Sequence, residues 1–242
     1  MAIPNLPEVS AGDDLGRTIA GLFDFRAGDV LVVAQKIVSK AENRSVRLDS
    51  VVVGSKAREL ASQTDKDPRL MQLILNESNE VLRVASGVVV VEDSRGWVCA
   101  NAGIDRSNVI QDGETDTVLL LPIDPDASAD RLRAGIMDRS GVEIGVVICD
   151  SHGRAWREGT VGVAIGSSGI TALSDRRGQY DRQGYPLQHT TVGTADEIAA
   201  AASLLMGQGN EGLPAVVIRG LNLQGGGKAR DLQRPRERDL FR

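Results

Sequence analysis

Aromatic side chains are scarce here: three Phe, two Trp and two Tyr among 242 residues, or 3%. Bases stack on rings, so composition argues against a single-strand nucleic-acid platform. Positive charge does not take their place. There are 28 Lys and Arg against 33 Asp and Glu, a net charge of -5, and a pI near 5.2. No basic field draws in phosphate backbones. Long apolar runs are also missing; the longest, such as Val88–Val91, are strand-sized and far from the roughly 18 residues of a membrane span. Met1–Val9 lacks the charged and apolar regions of a secretory leader. The two cysteines, Cys99 and Cys149, lie in apolar strand-like runs and read as reduced and buried. The two histidines, His152 and His189, have no neighbouring cysteines at zinc-site spacing. A Walker A sequence is absent, so any triphosphate is held in another way. These absences leave a cytoplasmic protein with no nucleic-acid partner and no membrane partner.

What is present is a chain that is 41% hydrophobic, enough to bury a real core. Asp29–Ala34 and Val142–Cys149 are continuous apolar runs of the kind that form buried strands, and Val161–Ile165 is a shorter one. Gly54–Val81 reads as two helices split near Asp67-Pro68. Val81–Val91 and Trp97–Ala100 read as strands, with a turn at Ser94–Gly96. Ser128–Arg139 is amphipathic, with Asp126 or Ser128 as its cap. Thr194–Met206 is the clearest helix, with Thr194 and Glu197 set as a capping box. Asp175–Pro186 reads as a long loop or hairpin, and Pro214–Arg219 as a last strand. The tail from Lys228 carries six basic and three acidic residues and reads as a solvated face or a subunit contact. Interspersed strands and helices predict an α/β (α+β) fold with a mixed sheet and flanking helices. One domain over 1–242 fits, with room for two interleaved subdomains.

Four stretches could carry chemistry. Asp105 and Asn108 follow a predicted strand directly, where functional residues collect. Asp105 is a hard oxygen ligand suited to Mg²⁺ or Mn²⁺, although an Asx-turn explains the same residues. Asp150 and Ser151 stand at the expected end of another strand, with Arg154 and Arg157 near enough to neutralise phosphate. A turn or helix cap is the plainer account of Asp150. His152 could be a general base or a hydrogen-bonded structural group. Gly207–Gly212 has the letters of a dinucleotide fingerprint, but it closes a helix instead of opening one, so a C-cap and turn come first. Its backbone could still meet an anion. Gln35, Lys36 and Lys40 follow the strand Asp29–Ala34; the lysines suit phosphate contacts or plain solvation.

Taken in order, these segments resemble the family of gamma-glutamyl ligases that act on the deazaflavin coenzyme F420. The resemblance rests on LPEVSAGDDL at Leu6–Leu15, GDVLVVAQKIVSKAE at Gly28–Glu42, NAGIDRSNV at Asn101–Val109 and LLLPIDPDASADRLR at Leu119–Arg133. It continues in DSHGRAWREGTVGVAIGSSG at Asp150–Gly169 and ADEIAAAASLLMGQGNEGLPAVVIRGL at Ala195–Leu221. It implies addition of L-glutamate to the lactyl-phosphate side of a deazaflavin precursor, with GTP converted to GDP and phosphate and further glutamates gamma-linked. It also implies Mg²⁺ or Mn²⁺, two ions with a monovalent cation such as K⁺ beside them, and a homodimer. By resemblance the metal ligands are Asp105, Asp150, Ser151 and Gln208. The nucleotide contacts are Leu6, Pro7, Glu8, Val9, Gln35, Lys36, Lys40, Asn108, Met206, Gly207, Gln208, Gly209, Asn210 and Glu211.

There are departures from the family pattern. Ser151 stands where the family often has Thr, which keeps the hydroxyl, and His152 stands where Asn or Met is usual. Some relatives carry a C-terminal flavin-binding domain, and no such activity is expected here. Residue chemistry and resemblance agree on carboxylate activation by phosphoryl transfer, with Asp150, Lys40 and Arg154 as catalytic residues. Competing readings are another nucleotide-dependent carboxylate–amine ligase and a nucleotide-binding protein without turnover.

Overall fold

Strands apolar on both faces need cover on both sides, and the computed structural model, which describes residues 1–109, 111 and 116–241, provides it. The chain runs through α1 (Leu15–Leu22), β1 (Val30–Ala34), α2 (Gln35–Ala41), β2 (Ser45–Arg47), α3 (Ser55–Thr64) and α4 (Pro68–Asn76). Next come β3 (Ser78–Ala85), β4 (Val88–Asp93), β5 (Val98–Ala100), β6 (Thr117–Leu119) and α5 (Pro125–Ser140). It ends with β7 (Gly145–Arg154), β8 (Arg157–Ser168), β9 (Ser174–Asp175), β10 (Thr191–Val192), α6 (Thr194–Met206) and β11 (Ala215–Ile218).

The central sheet has the order β11-β1-β7-β8. It is mixed: β1 runs parallel to β7 and antiparallel to β11, and β7 and β8 form a long hairpin. Alternation sends Leu31, Val33, Val146 and Ile148 to one face, against Leu15, Ile19, Leu132 and Ile136 of α1 and α5. Val30, Val32, Val147 and Cys149 go to the other, against Ala195, Ile198, Ala199 and Ala202 of α6. Each such aliphatic side chain contributes about 1.5–3 kcal/mol when fully buried. Pairing of β7 with β8 jumps from Ile148–Gly166 to Cys149–Ala164, leaving Ile165 as a bulge. The bulge lets Gly166 face α5 and Gly162 face α6. A Cβ on Gly166 would come within 2.3 Å of the Pro125 carbonyl, and one on Gly162 within 2.5 Å of that of Ala199. Both helices therefore lie directly on the strand.

Between α2 and α5 the chain builds a second layer. The antiparallel sheet β3-β4-β5 packs Val89 and Val91 on Ala57 and Ala61 of α3 and on Met71 and Ile74 of α4. The ladder of β2 and β6 buries Leu48, Leu73 and Val118. Among the described residues no helix is long and apolar enough to cross a membrane.

Several local expectations change. The run Val81–Val91 is two strands turning at Gly87, which adopts φ +76°. The cap of α5 is Asp124, which accepts from Ala127 N at 3.0 Å, with Pro125 opening the helix. Asp126 is buried and accepts instead from Ser167 N and Ala229 N. Gly193, not Thr194, caps α6, and the Thr194 hydroxyl bonds Ser174 Oγ at 2.8 Å. The basic tail pairs within its own chain: Lys228 with Asp130 at 2.6 Å, Arg230 with Asp126 at 2.9 Å and Arg236 with Glu80 at 2.5 Å.

Candidate active site

The site forms where β1 gives way to α2. Gln35, the first residue of α2, is buried, and Ser39 one turn later donates to its Oε1 at 2.9 Å. That bond turns the Gln35 amide nitrogen toward Asp105, whose Oδ2 it meets at 2.7 Å. Lys36 reaches the same oxygen at 2.9 Å and Ser107 Oγ at 2.9 Å. Asp105 is brought there by a left-handed turn, with φ +53° at Asn101, +54° at Ala102 and +67° at Gly103. Its backbone then exchanges hydrogen bonds with Leu119, at 3.0 and 2.8 Å. Burial pushes the Asp105 carboxyl above its usual pKa, against the pull of Lys36, and the charge of Asp150 adds to the rise.

Asp150 was expected at the end of a strand, but β7 continues to Arg154. Asp150 instead marks where β7 emerges from between the layers, one residue beyond the bulged pair. Bulges recur next to active sites, where they redirect side chains. His152 Nε2 lies 3.0 Å from Asp150 Oδ2. Burial disfavours the charged His152 ring, but the hydrogen bond and charge of Asp150 outweigh it and raise the pKa. His152 thus takes a hydrogen-bonded position and does not line the cleft. Ser151 points the other way and donates to Gln208 Oε1 at 2.9 Å.

Gln208 belongs to the loop that ends α6. Gly207 closes the helix at φ +71°, a C-cap as the sequence suggested. Glu211 folds back so that its Oε2 accepts from Gly209 N at 2.8 Å. Main-chain N–H groups of Glu211, Gly209 and Gln208 hold this carboxylate below its usual pKa. Across the cleft, Lys40 pairs with Glu8 at 2.5 Å.

These segments surround one cleft of about 540 Å³. It is lined by Leu6–Val9, Gln35, Lys36, Lys40, Asp105, Asn108, Asp150, Ser151 and 206–211. Arg154 does not line it; the guanidinium donates to Gly159 O at 3.1 Å on the β7–β8 hairpin. The sequence reading missed Ser39 and Ser107. Ser39 was legible one helical turn after Gln35, and Ser107 lies inside the Asp105–Asn108 stretch. The donors Asp105, Asp150, Ser151 and Gln208 are hard oxygens that suit Mg²⁺ or Mn²⁺. Among the described residues no group of three or more His, Cys, Asp or Glu gathers to hold a metal. A cation here would rely on the two neutral oxygens and on its ligand as well as the carboxylates.

Comparison with known proteins places the chain in a family. The family model described as F420-0:gamma-glutamyl ligase matches residues 4–220. The coenzyme F420:L-glutamate ligase of Methanothermobacter thermautotrophicus is 44% identical over 250 aligned positions, covering 100% of this chain and 98% of its own. That of Methanopyrus kandleri is 44% identical, covering 99% and 96%. That of Methanocaldococcus jannaschii is 41% identical, covering 98% and 94%. The chain belongs to the F420-0:gamma-glutamyl ligase family.

Proposed function

We propose that this protein is a coenzyme F420:L-glutamate ligase that joins L-glutamate to the deazaflavin precursor of coenzyme F420, with GTP as co-substrate. The observation that carries the reading is convergence. Segments far apart in sequence bring two lysines and four hard oxygen donors into a single cleft. The acceptor carboxylate attacks the γ-phosphorus, the bond to GDP breaks, and an acyl phosphate forms. The glutamate amine then attacks the acyl carbon, phosphate leaves, and the nitrogen loses a proton. Repeating the cycle on the γ-carboxylate adds further glutamates.

Lys36 and Lys40 orient the phosphates, and the Gln35 amide holds Asp105. Leu6–Val9 and the 206–211 loop form the nucleotide walls. Asp105, Asp150, Ser151 and Gln208 would hold Mg²⁺ or Mn²⁺, two ions with K⁺ beside them, which neutralise charge on phosphate oxygens. Arg154 stands outside the cleft lining, with its guanidinium on Gly159 O. The protein acts in the cytoplasm as a homodimer. In support of dimerisation, the β7–β8 hairpin exposes Trp156 at 86%, 6.3 Å from the exposed ring of Phe241.

The deciding experiment combines purified protein, precursor, GTP, Mn²⁺ and L-glutamate and weighs the product. Mass increments of one glutamyl unit are expected, with phosphate released only when both acceptor and glutamate are present. Phosphate release without glutamate incorporation would overturn the ligase reading. Hydroxylamine should trap a hydroxamate during turnover, and its absence counts against the acyl phosphate. Light scattering that gives a monomeric mass at every salt concentration would end the dimer proposal.

A further inference from the structure

The layer built between α2 and α5 supplies the cleft with Asp105, Ser107 and Asn108. Its last strand, β6, runs straight into the crossing at Leu120–Pro122, which returns the chain to α5. Two guanidinium groups hold that crossing. Arg44 donates from Nε to Leu121 O at 2.8 Å and from Nη2 to both Glu77 oxygens at 3.0 Å. Arg95 donates from Nε to Pro122 O at 2.8 Å and pairs with Glu77 at 3.0 Å and Asp93 at 3.1 Å. The Arg95 side chain is 9% exposed and that of Asp93 0%. Gln233 of the tail adds a bond to Arg95 O at 3.0 Å.

The cluster balances two positive against two negative charges. Desolvation offsets most of what such buried pairs gain, so stability alone does not account for it. Geometry does. A guanidinium is a flat fork with fixed donor directions, and here two forks fix successive carbonyls. Those carbonyls follow Leu119 closely in the chain, and Leu119 exchanges both backbone hydrogen bonds with Asp105. A short, stiff path leads from the cluster to one carboxylate of the cleft. The facing carboxylate, Asp150, comes from the central sheet.

We propose that Arg44 and Arg95, through Glu77 and the Leu121 and Pro122 carbonyls, are positioning residues that hold Asp105 at its working distance from Asp150. Their role in metal binding rests on the cleft reading above; their role in holding the two layers together does not.

The test uses Arg95→Met and Arg44→Lys in the full chain. Spin labels on Val52→Cys and Leu204→Cys, exposed by 90% and 85%, report the separation of the two layers. Cys99 and Cys149 are buried, with thiols pushed up to about 12, and stay unlabelled. The parent should give a narrow distance distribution, and each variant a broader or shifted one. Mn²⁺ binding, followed by electron paramagnetic resonance, should weaken by about tenfold or more. The KM for metal should rise more than kcat at saturating metal falls. Unchanged distributions in the folded variants overturn the proposal. Arg95→Met exposes Asp93 to the loss of its partner and could fail to fold; Arg44→Lys keeps the charge, loses the fork and then decides alone. If the wild type neither binds Mn²⁺ nor ligates, the cleft reading fails, and the distance distributions still judge the clamp.

Discussion

The central sheet and the layer inserted after α2 are held in different ways. The sheet that carries Asp150 is dry, with Leu31, Val33, Val147 and Ile148 all fully buried between helices. The layer that carries Asp105 has its own apolar core, and it joins the rest of the molecule through Trp97 and Leu121, which pack on the central core, and through guanidinium bonds to the main-chain carbonyls of the crossing. The candidate cleft draws Asp105 from the inserted layer and Asp150 from the sheet. Apolar packing tolerates small shifts of position, whereas forked hydrogen bonds do not. The polar junction therefore suits the task of setting a distance, and the apolar sheet suits the task of resisting unfolding.

This comparison can be broken from either side. The largest effect should come from Asp150→Asn, which keeps the shape of the side chain and removes charge. Ligation should fall by about a hundredfold or more, while thermal unfolding stays close to wild type. Normal turnover at limiting Mn²⁺ would return Asp150 to a structural role. Ile148→Ala, at the centre of the dry sheet, should destabilise by about 2–5 kcal/mol. Urea unfolding in low and high salt should give the same loss, since screening leaves apolar burial alone.

Lys40→Ala tests the cleft wall and should weaken nucleotide binding by roughly 1–3 kcal/mol if the contact is charge-assisted. Calorimetry that finds unchanged affinity would leave Lys40 only its ion pair with Glu8. A subtler effect is expected at the foot of the sheet, where buried Asp29 pairs with Arg219 at 2.7 Å. Burial raises the Asp29 pKa, but hydrogen bonds from Arg219 and the Arg26 backbone lower it further, so the net shift is downward. A lowered folded-state pKa stabilises the protein above the ordinary carboxylate range and loses that effect as pH falls through the folded value. In Arg219→Met burial remains, opposed only by the backbone bond and charge of Arg26, so wild-type and variant stabilities should converge as pH drops. Parallel pH curves would exclude this linkage. The smallest effect belongs to Arg236→Ala, whose exposed pair with Glu80 and longer contact with Glu92 at 3.6 Å should matter mainly at low salt.

The central sheet was legible where its strands are unbroken apolar runs, as in Val30–Ala34 and residues 146–149. The ends of elements were harder, for a physical reason. Asp126 looks like a cap because it sits near a helix start, but its partners are Ser167 and Ala229, which no local pattern reveals. Strand β7 seemed to stop at Cys149 because its apolar run stops there. Its backbone pairing with β8 continues to Arg154 through residues with no apolar signature. The site was readable only in fragments. Gln35, Asp105, Asp150 and Gln208 each had an ordinary explanation, and only their order along the chain, matched to a family, joined them.

The pairing of β1 also has a consequence in time. This strand, at residue 30, finds its neighbours at residues 145 and 215. At about 5–20 residues per second of synthesis, roughly ten seconds or more separate the first strand from the last. Meanwhile the layer spanning 45–119 contains nearly all of its own partners and can close early. Folding during synthesis should therefore run from the middle of the chain outward, with Val30–Ala34 exposed until late. Stalled nascent chains ending before residue 214 should resist protease across the inserted layer while β1 is still cut. Equal protection of both at that length would show that β1 does not wait for its last neighbour.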